Sequence, residues 1–249
     1  MKSEKINWLI GLIDGDGYDN DRKIEIYNSS LSILKEAVDI LKKIGIAKEK
    51  INVDIYSSQP ANVDVGKWSD ALELPLNNFK VRLNTSPWKE RKEKIRIRVH
   101  AKRLVLLLRS RKPSGIGYVR GLFDAEASVD IKGYVEFKQK AGLEGMKIVR
   151  AVHRILSKRK IKCTPIRIKN DMGRKNDAYF YVKDIQKFAK EVNFVDIDKK
   201  RKLEILLKVK DGKTKTVPNK LRMGEKQTLW DLMNETRLPY HTLRKCLKQ

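Results

Sequence analysis

Cysteine and histidine are too scarce in this chain to build the usual cross-links or soft-metal sites. Its two cysteines, Cys163 and Cys246, make neither a disulfide framework nor a zinc site. The three histidines, His100, His153 and His241, show no ligand spacing. Long apolar runs are missing as well. The opening MKSEKINWLIGLIDGDG has a short apolar run interrupted by Asp14, unlike a secretory signal. No segment approaches the roughly 20 apolar residues that span a bilayer. There is no lipidation signal and no amphipathic basic anchor for a membrane surface. Glutamine is scarce beside Lys, Glu and Ile, a balance that fits a thermophile. The expectation is a soluble intracellular protein, cytoplasmic or organellar, with no membrane partner.

Positive charge is what the chain has in excess. Lys and Arg total 56 against 31 Asp and Glu, a net charge of +25 with a pI near 10.0. The apolar fraction, 41%, is that of a folded protein, so the charge does not mark global disorder. The excess is spread over the whole length, and no single basic tail explains it. A positive field of this breadth suits a polyanion, with nucleic acid the first candidate and a ribosomal or histone-like role the plain alternative.

A nine-residue pattern occurs twice. Leu9–Gly17 reads LIGLIDGDG and Val119–Ala127 reads VRGLFDAEA. Each copy has small residues four apart, Gly11/Gly15 and Gly121/Ala125, which lie on one helix face and let two backbones approach. Each then has acids two apart, Asp14/Asp16 and Asp124/Glu126. The second acid falls at a helix C-terminus, where the macrodipole disfavours a carboxylate. Two such carboxylates brought together would repel unless a cation sat between them. The pattern implies packed helices delivering Asp16 and Glu126 to a divalent metal.

The repeat extends beyond the motif. Lys23–Tyr27 and Tyr134–Lys140 alternate apolar and polar residues as half-buried strands do. Each follows a polar turn and precedes a helix, expected over Leu31–Ile44 (stopped by Gly45) and Met146–Arg159. Further strands are expected at Ile51–Tyr56, Glu93–Val99, Pro165–Lys169 and Ala178–Val182, and closing helices at Ala101–Arg109 and Asp184–Val192. Each half reads αββαββα, an α+β unit with an antiparallel sheet. The RKPSG segment, Arg111–Gly115, marks the break between halves at 1–112 and 113–210. The polar stretch between Ser57 and Lys92 has no counterpart in the second half. Lys94, Arg96 and Arg98 share one strand face, as do Arg167 and Lys169. Across so many strands in a protein of this charge, these polar faces read as a DNA-binding saddle, to which Lys23, Tyr27 and Lys138 also belong.

These motifs and the halves they head resemble the LAGLIDADG homing endonucleases, in the single-chain form with two motifs; the resemblance spans roughly residues 6–210. It implies sheets lying along the major groove, with Arg and Lys reading guanine and other residues holding phosphates. By motif position, the metal ligands carry over to Asp16 and Glu126, while Asp14 and Asp124 become positioning residues. Hard oxygen ligands favour Mg²⁺, with Mn²⁺ able to substitute. The polar and basic residues that order water around the metals fall on Asn28 in the first half, and on Gln139 and Lys140 in the second. Ser29 matches Lys140, a departure from a symmetric basic pair; the run Lys199–Lys202 is another source of a lysine, or a phosphate contact or solvated helix end.

The tail, 211–249, departs from the family pattern. Helices over Thr228–Met233 and His241–Lys248, joined by NETRLPY, would make either a helix-turn-helix offering Arg244 and Lys245 to DNA, or a hairpin packed on the main body. The resulting expectation is a monomeric, intron-encoded endonuclease that cuts both strands of a long asymmetric duplex and leaves short 3′ extensions. Two rival readings are an RNA maturase acting on its host intron RNA, and a non-catalytic DNA-binding transcription regulator. Retention of both acids favours the enzyme.

Overall fold

The first motif copy lies on α1 (Ser3–Asp16), a helix buried along much of its length by Ile6, Trp8, Leu9, Ile10, Leu12 and Ile13. It runs directly into β1 (Gly17–Asp19), which turns back as β2 (Lys23–Asn28). Then follow α2 (Leu31–Lys43), β3 (Ile51–Ser57), α3 (Val65–Leu72), β4 (Phe79–Leu83), β5 (Lys94–His100) and α4 (Gly115–Glu126), which carries the second motif copy. The computed structural model describes residues 3–19, 22–84, 94–100, 102, 105–106, 108, 114–169, 176–210 and 228–247. Of the helix expected at 101–109, Lys102, Val105, Leu106 and Leu108 are helical and the rest lies outside the described residues, as do 111–113 of the expected break.

The first sheet has the order β1-β2-β5-β3-β4. Its inner face, with Ile24, Ile26, Val53, Ile55, Ile95 and Ile97, is fully buried. On α2 the residues Ile33, Leu34, Ala37, Val38, Ile40 and Leu41 form one buried stripe. The helix stops where the sequence says it should, because Gly45 takes φ +90°, a conformation that costs glycine little.

One expectation needs correction. The sheet is not wholly antiparallel: the stretch between Ser57 and Lys92 supplies a fifth strand, β4, which pairs parallel to β3 with Val53 opposite Phe79 and Tyr56 opposite Arg82. A parallel strand needs a crossover connection. Helix α3 provides it, with Asp64 accepting a hydrogen bond from the Lys67 N–H at its N-terminus.

The second sheet is built from β6 (Ala127–Asp130), β7 (Tyr134–Lys140), β8 (Arg167–Lys169) and β9 (Asp177–Val182), in the order β6-β7-β9-β8 and antiparallel throughout. This is the order of the first sheet without β4. The segments after each motif, expected as turns, thus begin with short strands, β1 and β6. Helix α5 (Leu143–Lys158) covers the inner face through Val149, Val152 and Leu156, and α6 (Ile185–Glu191) and α7 (Ile197–Lys210) follow. The tail forms α8 (Leu229–Thr236) and α9 (Tyr240–Leu247).

By packing, the chain forms two units, Met1–Ala125 and Glu126–Gln249. The first therefore holds almost all of the second motif helix. Among the described residues no helix is long and apolar enough to cross a membrane.

Candidate acidic site and nucleic-acid interface

Within the first unit the two motif helices pack through their small residues. A Cβ on Gly11 would run into the Tyr118 carbonyl and lie 3.0 Å from the Leu122 nitrogen. A Cβ on Gly121 would run into the Trp8 carbonyl and lie 2.7 Å from the Leu12 nitrogen. The contact is reciprocal, as a repeated motif allows. Gly117, one turn before Gly121, has the same relation to the Glu4 carbonyl.

The first acid of each motif is spent on this packing. Trp8 Nε1 donates to Asp124 Oδ2 at 2.7 Å, and Tyr118 OH donates to Asp14 Oδ2 at 2.8 Å. Trp8 and Tyr118 each stand one residue before their own motif and bond the acid of the other. Burial first, and then the Asp14 charge, push the Tyr118 hydroxyl well above its ordinary pKa, so it stays a donor. Asp124 is itself buried.

The second acids have different partners. Asp16 ends α1, and its Oδ2 accepts from Asn28 Nδ2 at 2.8 Å. Glu126 ends α4, and its Oε1 accepts from Gln139 Nε2 at 2.9 Å. Asn28 and Gln139 occupy the matching ends of β2 and β7, so the same acid–amide pair is built twice. Each amide is held from its other end: Asn28 Oδ1 accepts from the Ser30 N–H at 2.8 Å, and Gln139 Oε1 from the Lys140 N–H at 3.3 Å. An N–H aimed at a carboxylate offsets the unfavourable helix C-terminus and fixes the orientation of the acid. Lys140 is exposed, as is its counterpart Ser29.

Among the described residues no three of His, Cys, Asp and Glu cluster as a metal cage. Single half-buried carboxylates suit a hard cation that keeps several waters and takes other ligands from phosphate. On that chemistry the donor set fits Mg²⁺ or Mn²⁺ and not a structural zinc.

On the polar face of the first sheet, the expected contact residues Lys23, Tyr27, Arg96 and Arg98 are gathered around two acids that sequence reading passed over. Asp54 is 2% exposed and Glu25 is 4% exposed. Arg96 donates through Nε and Nη2 to Asp54 Oδ2 at 3.0 and 2.7 Å; Arg82 Nε donates to Oδ1 at 2.6 Å, and Arg98 also bonds Asp54. Glu25 accepts from Lys23 at 2.9 Å and Tyr27 at 2.7 Å, and faces Arg96 and Arg98 at 3.6 and 3.5 Å. Burial alone would raise both carboxyls, but these donors and the arginine charges outweigh it and hold both below the usual carboxylate range. The rings of Tyr27 and Tyr56 lie 5.8 and 5.4 Å from the Arg96 guanidinium. Lys94 is exposed at the strand end. The acids sit in KIEIY and NVDIY at polar-face positions opposite Arg96 and Arg98, a signal readable only once the strand order is known.

The second sheet's face is open. Lys138, Arg167 and Lys169 are exposed, with Lys138 facing Asp177 at 3.5 Å. Tyr179 stands between Lys138 and Arg167, and Tyr181 packs against Tyr134 and Tyr179, with ring centroids 4.4 and 5.4 Å apart.

The tail is a hairpin on α7. Thr228 caps α8 reciprocally with Asp231, Arg201 Nη2 reaches Asp231 at 2.8 Å, and Lys208 Nζ reaches Asn234 at 3.1 Å. Lys202 lies over the Trp230 ring at 5.8 Å. Part of the Lys199–Lys202 run is thus engaged in holding the tail. Leu232, Met233, Leu238 and Leu243 form its core. The turn is Arg237–Pro239, shorter than expected, because α8 continues through Asn234–Thr236. His241 and Arg244 are exposed on α9, while the Lys245 side chain lies outside the described residues.

Residues 3–62 match the family model of the LAGLIDADG-like domain. The second motif copy, Val119–Ala127, repeats the geometry of the first: the reciprocal contacts of Gly11 and Gly121, the crossed Trp8 and Tyr118 bonds, and the two acid–amide pairs. No curated protein matches the chain. Among solved structures, the chain is similar to I-DmoI in complex with DNA and Mn, at 16% identity over 76% of this chain and 96% of that one, with a TM-score of 0.49. It is similar to mesophilic variants of the homing endonuclease I-DmoI at 15% identity over 76% and 89%, with a TM-score of 0.48. Full-length DUF199/WhiA from Thermatoga maritima matches at 14% identity over 88% of this chain and 63% of that one, with a TM-score of 0.48.

Proposed function

We propose that the protein is a metal-dependent, site-specific endonuclease of duplex DNA, acting as a single chain with one LAGLIDADG acid for each strand cut. The observation that carries this reading is the duplicated pair of a helix-terminal acid and a strand-end amide, Asp16 with Asn28 and Glu126 with Gln139. A purely structural motif needs only the first acids, which the crossed Trp8 and Tyr118 bonds already use. The second acids keep a costly position that packing does not explain.

In this reading Asp16 and Glu126 are the residues that would hold divalent cations. A bound Mg²⁺ would lower the pKa of its water and stabilise charge on the phosphoryl oxygens. Asn28 and Gln139 keep each carboxylate in one orientation, and Lys140 supplies positive charge beside the second phosphate. The first half has Ser29 there, so its strand should be cut more slowly. The net charge of +25 gathers DNA by counterion release, and the paired halves, unlike in sequence, suit an asymmetric target cut to leave short 3′ extensions. Exposed His241 and Arg244 on α9 add a second DNA contact outside the cleaved region.

The test is a plasmid library carrying randomised duplex inserts, incubated with the full chain. A subset should become linear in Mg²⁺ or Mn²⁺. Ca²⁺ should support binding with little cutting, and excess EDTA should abolish it. Undiminished cutting in EDTA would overturn the proposal.

A further inference from the structure

Two buried carboxylates on a face meant for a polyanion are a costly choice. Burying an acid carries a desolvation penalty that an ion pair only partly offsets, and an apolar or hydroxyl side chain would serve a mere sheet surface at lower cost. Asp54 and Glu25 lie under the guanidinium groups of Arg82, Arg96 and Arg98, whose side chains are 43%, 16% and 24% exposed. Arg82 comes from β4, the strand that the second sheet lacks. Each guanidinium offers about five N–H donors and each carboxylate about four acceptor sites, and Lys23 and Tyr27 also draw on Glu25. Donors therefore exceed acceptors, and one, Arg98 Nε, is buried with no hydrogen-bond partner. The surplus must be met by water or by acceptors on a partner.

We propose that Asp54 and Glu25 are positioning residues for sequence readout. They fix the three arginines in one array and cancel part of its charge, so that the first sheet discriminates bases instead of only attracting phosphate. This rests on the reading of the protein as a duplex-DNA binder. A free arginine loses rotamer freedom on docking and swings toward whichever phosphate is nearest. A guanidinium clamped by a buried acid has lost that freedom already, and keeps its outward N–H groups aimed at a guanine edge. The acids also lower non-specific attraction, since each removes about one unit of positive charge from the groove surface.

The test compares the full-length protein with Asp54→Asn in two measurements. One is selection of bound duplexes from a randomised library; the other is the salt dependence of binding to an unselected random-sequence duplex. The variant should bind the random duplex several-fold more tightly, with a log–log salt slope steeper by about one. It should also lose base preference over one half of the selected site. Adding Arg82→Gln should return the slope to that of the parent while the preferences stay lost, which separates charge from positioning. Should Asp54→Asn fail to fold, Glu25→Gln carries the same expectation. A folded variant that keeps every base preference and the parent slope overturns the inference. A parent chain that binds no duplex overturns instead the reading beneath it.

Discussion

At the centre of the first sheet Tyr27, Arg96 and Asp54 lie side by side across three strands; at the same places in the second stand Lys138, Tyr179 and Arg167. The strand order is shared, the matching amides Asn28 and Gln139 fix the register, and the inner faces are alike. Apart from the added strand β4, the difference lies in the outer chemistry. In the first sheet the central cation, Arg96, is half-buried among acids and rings. In the second the central residue is a ring and the cations stand outside it, exposed. A duplicated scaffold can thus keep its core and its acid–amide site while one face becomes a rigid, charge-compensated array and the other an open basic surface with tyrosines to stack on.

The largest effect that would break this comparison concerns stability. Asp54→Ala removes the carboxylate that Arg96 and Arg98 share in a part-buried site, leaving them Glu25 as counter-charge, and should cost about 3–5 kcal/mol. Arg167→Ala, at the matching place in the second sheet, removes an exposed side chain and should stay within about 0.5 kcal/mol. Denaturant unfolding of the two variants checks the difference, and similar losses would show that the two faces are not built differently.

A smaller effect sharpens it. Folding depresses the pKa of Asp54 and Glu25 from their ordinary 3.8 and 4.5. A carboxyl whose folded pKa is depressed adds stability that is full above the unfolded value and is lost as pH falls through the folded one. Amide protection in β2, β3 and β5 should therefore hold at pH above the ordinary carboxyl range and decline below it, ahead of β7 and β9. Hydrogen exchange across an acid titration reads this directly. Earlier loss in the second sheet would contradict it.

Much of the fold was legible because its signals are local. Alternation in KIEIY and YVEFKQK marks β2 and β7, the stripe of Leu31–Lys43 marks α2, and Gly45 marks its stop. The resemblance alone singles out Asn28 and Gln139, as residues ordering water; that each bonds the acid of its own motif, 12 and 13 residues away, is visible only in the structure. The parallel strand β4 and the Asp54 network were not legible, since they depend on which strands become neighbours, over separations of 26 residues for the β3–β4 pairing and 28 to 44 for the Asp54 bonds. The crossed Trp8–Asp124 and Tyr118–Asp14 bonds, more than 100 residues apart, were hidden for the same reason. The resemblance already makes the first acid of each pair a positioning residue; the packing shows what it positions, the Trp8 and Tyr118 side chains of the other motif helix.

The measurement that bears most directly on the account is cleavage and binding by Asp16→Asn combined with Glu126→Gln, at a duplex selected with the parent chain. Each substitution removes a charge with little change of size and leaves the Trp8 and Tyr118 bonds in place. The account expects duplex binding within a few-fold of the parent and no detectable cutting in Mg²⁺. A folded double variant that cuts at the parent's rate would remove both acids from the chemistry and leave the central claim without support.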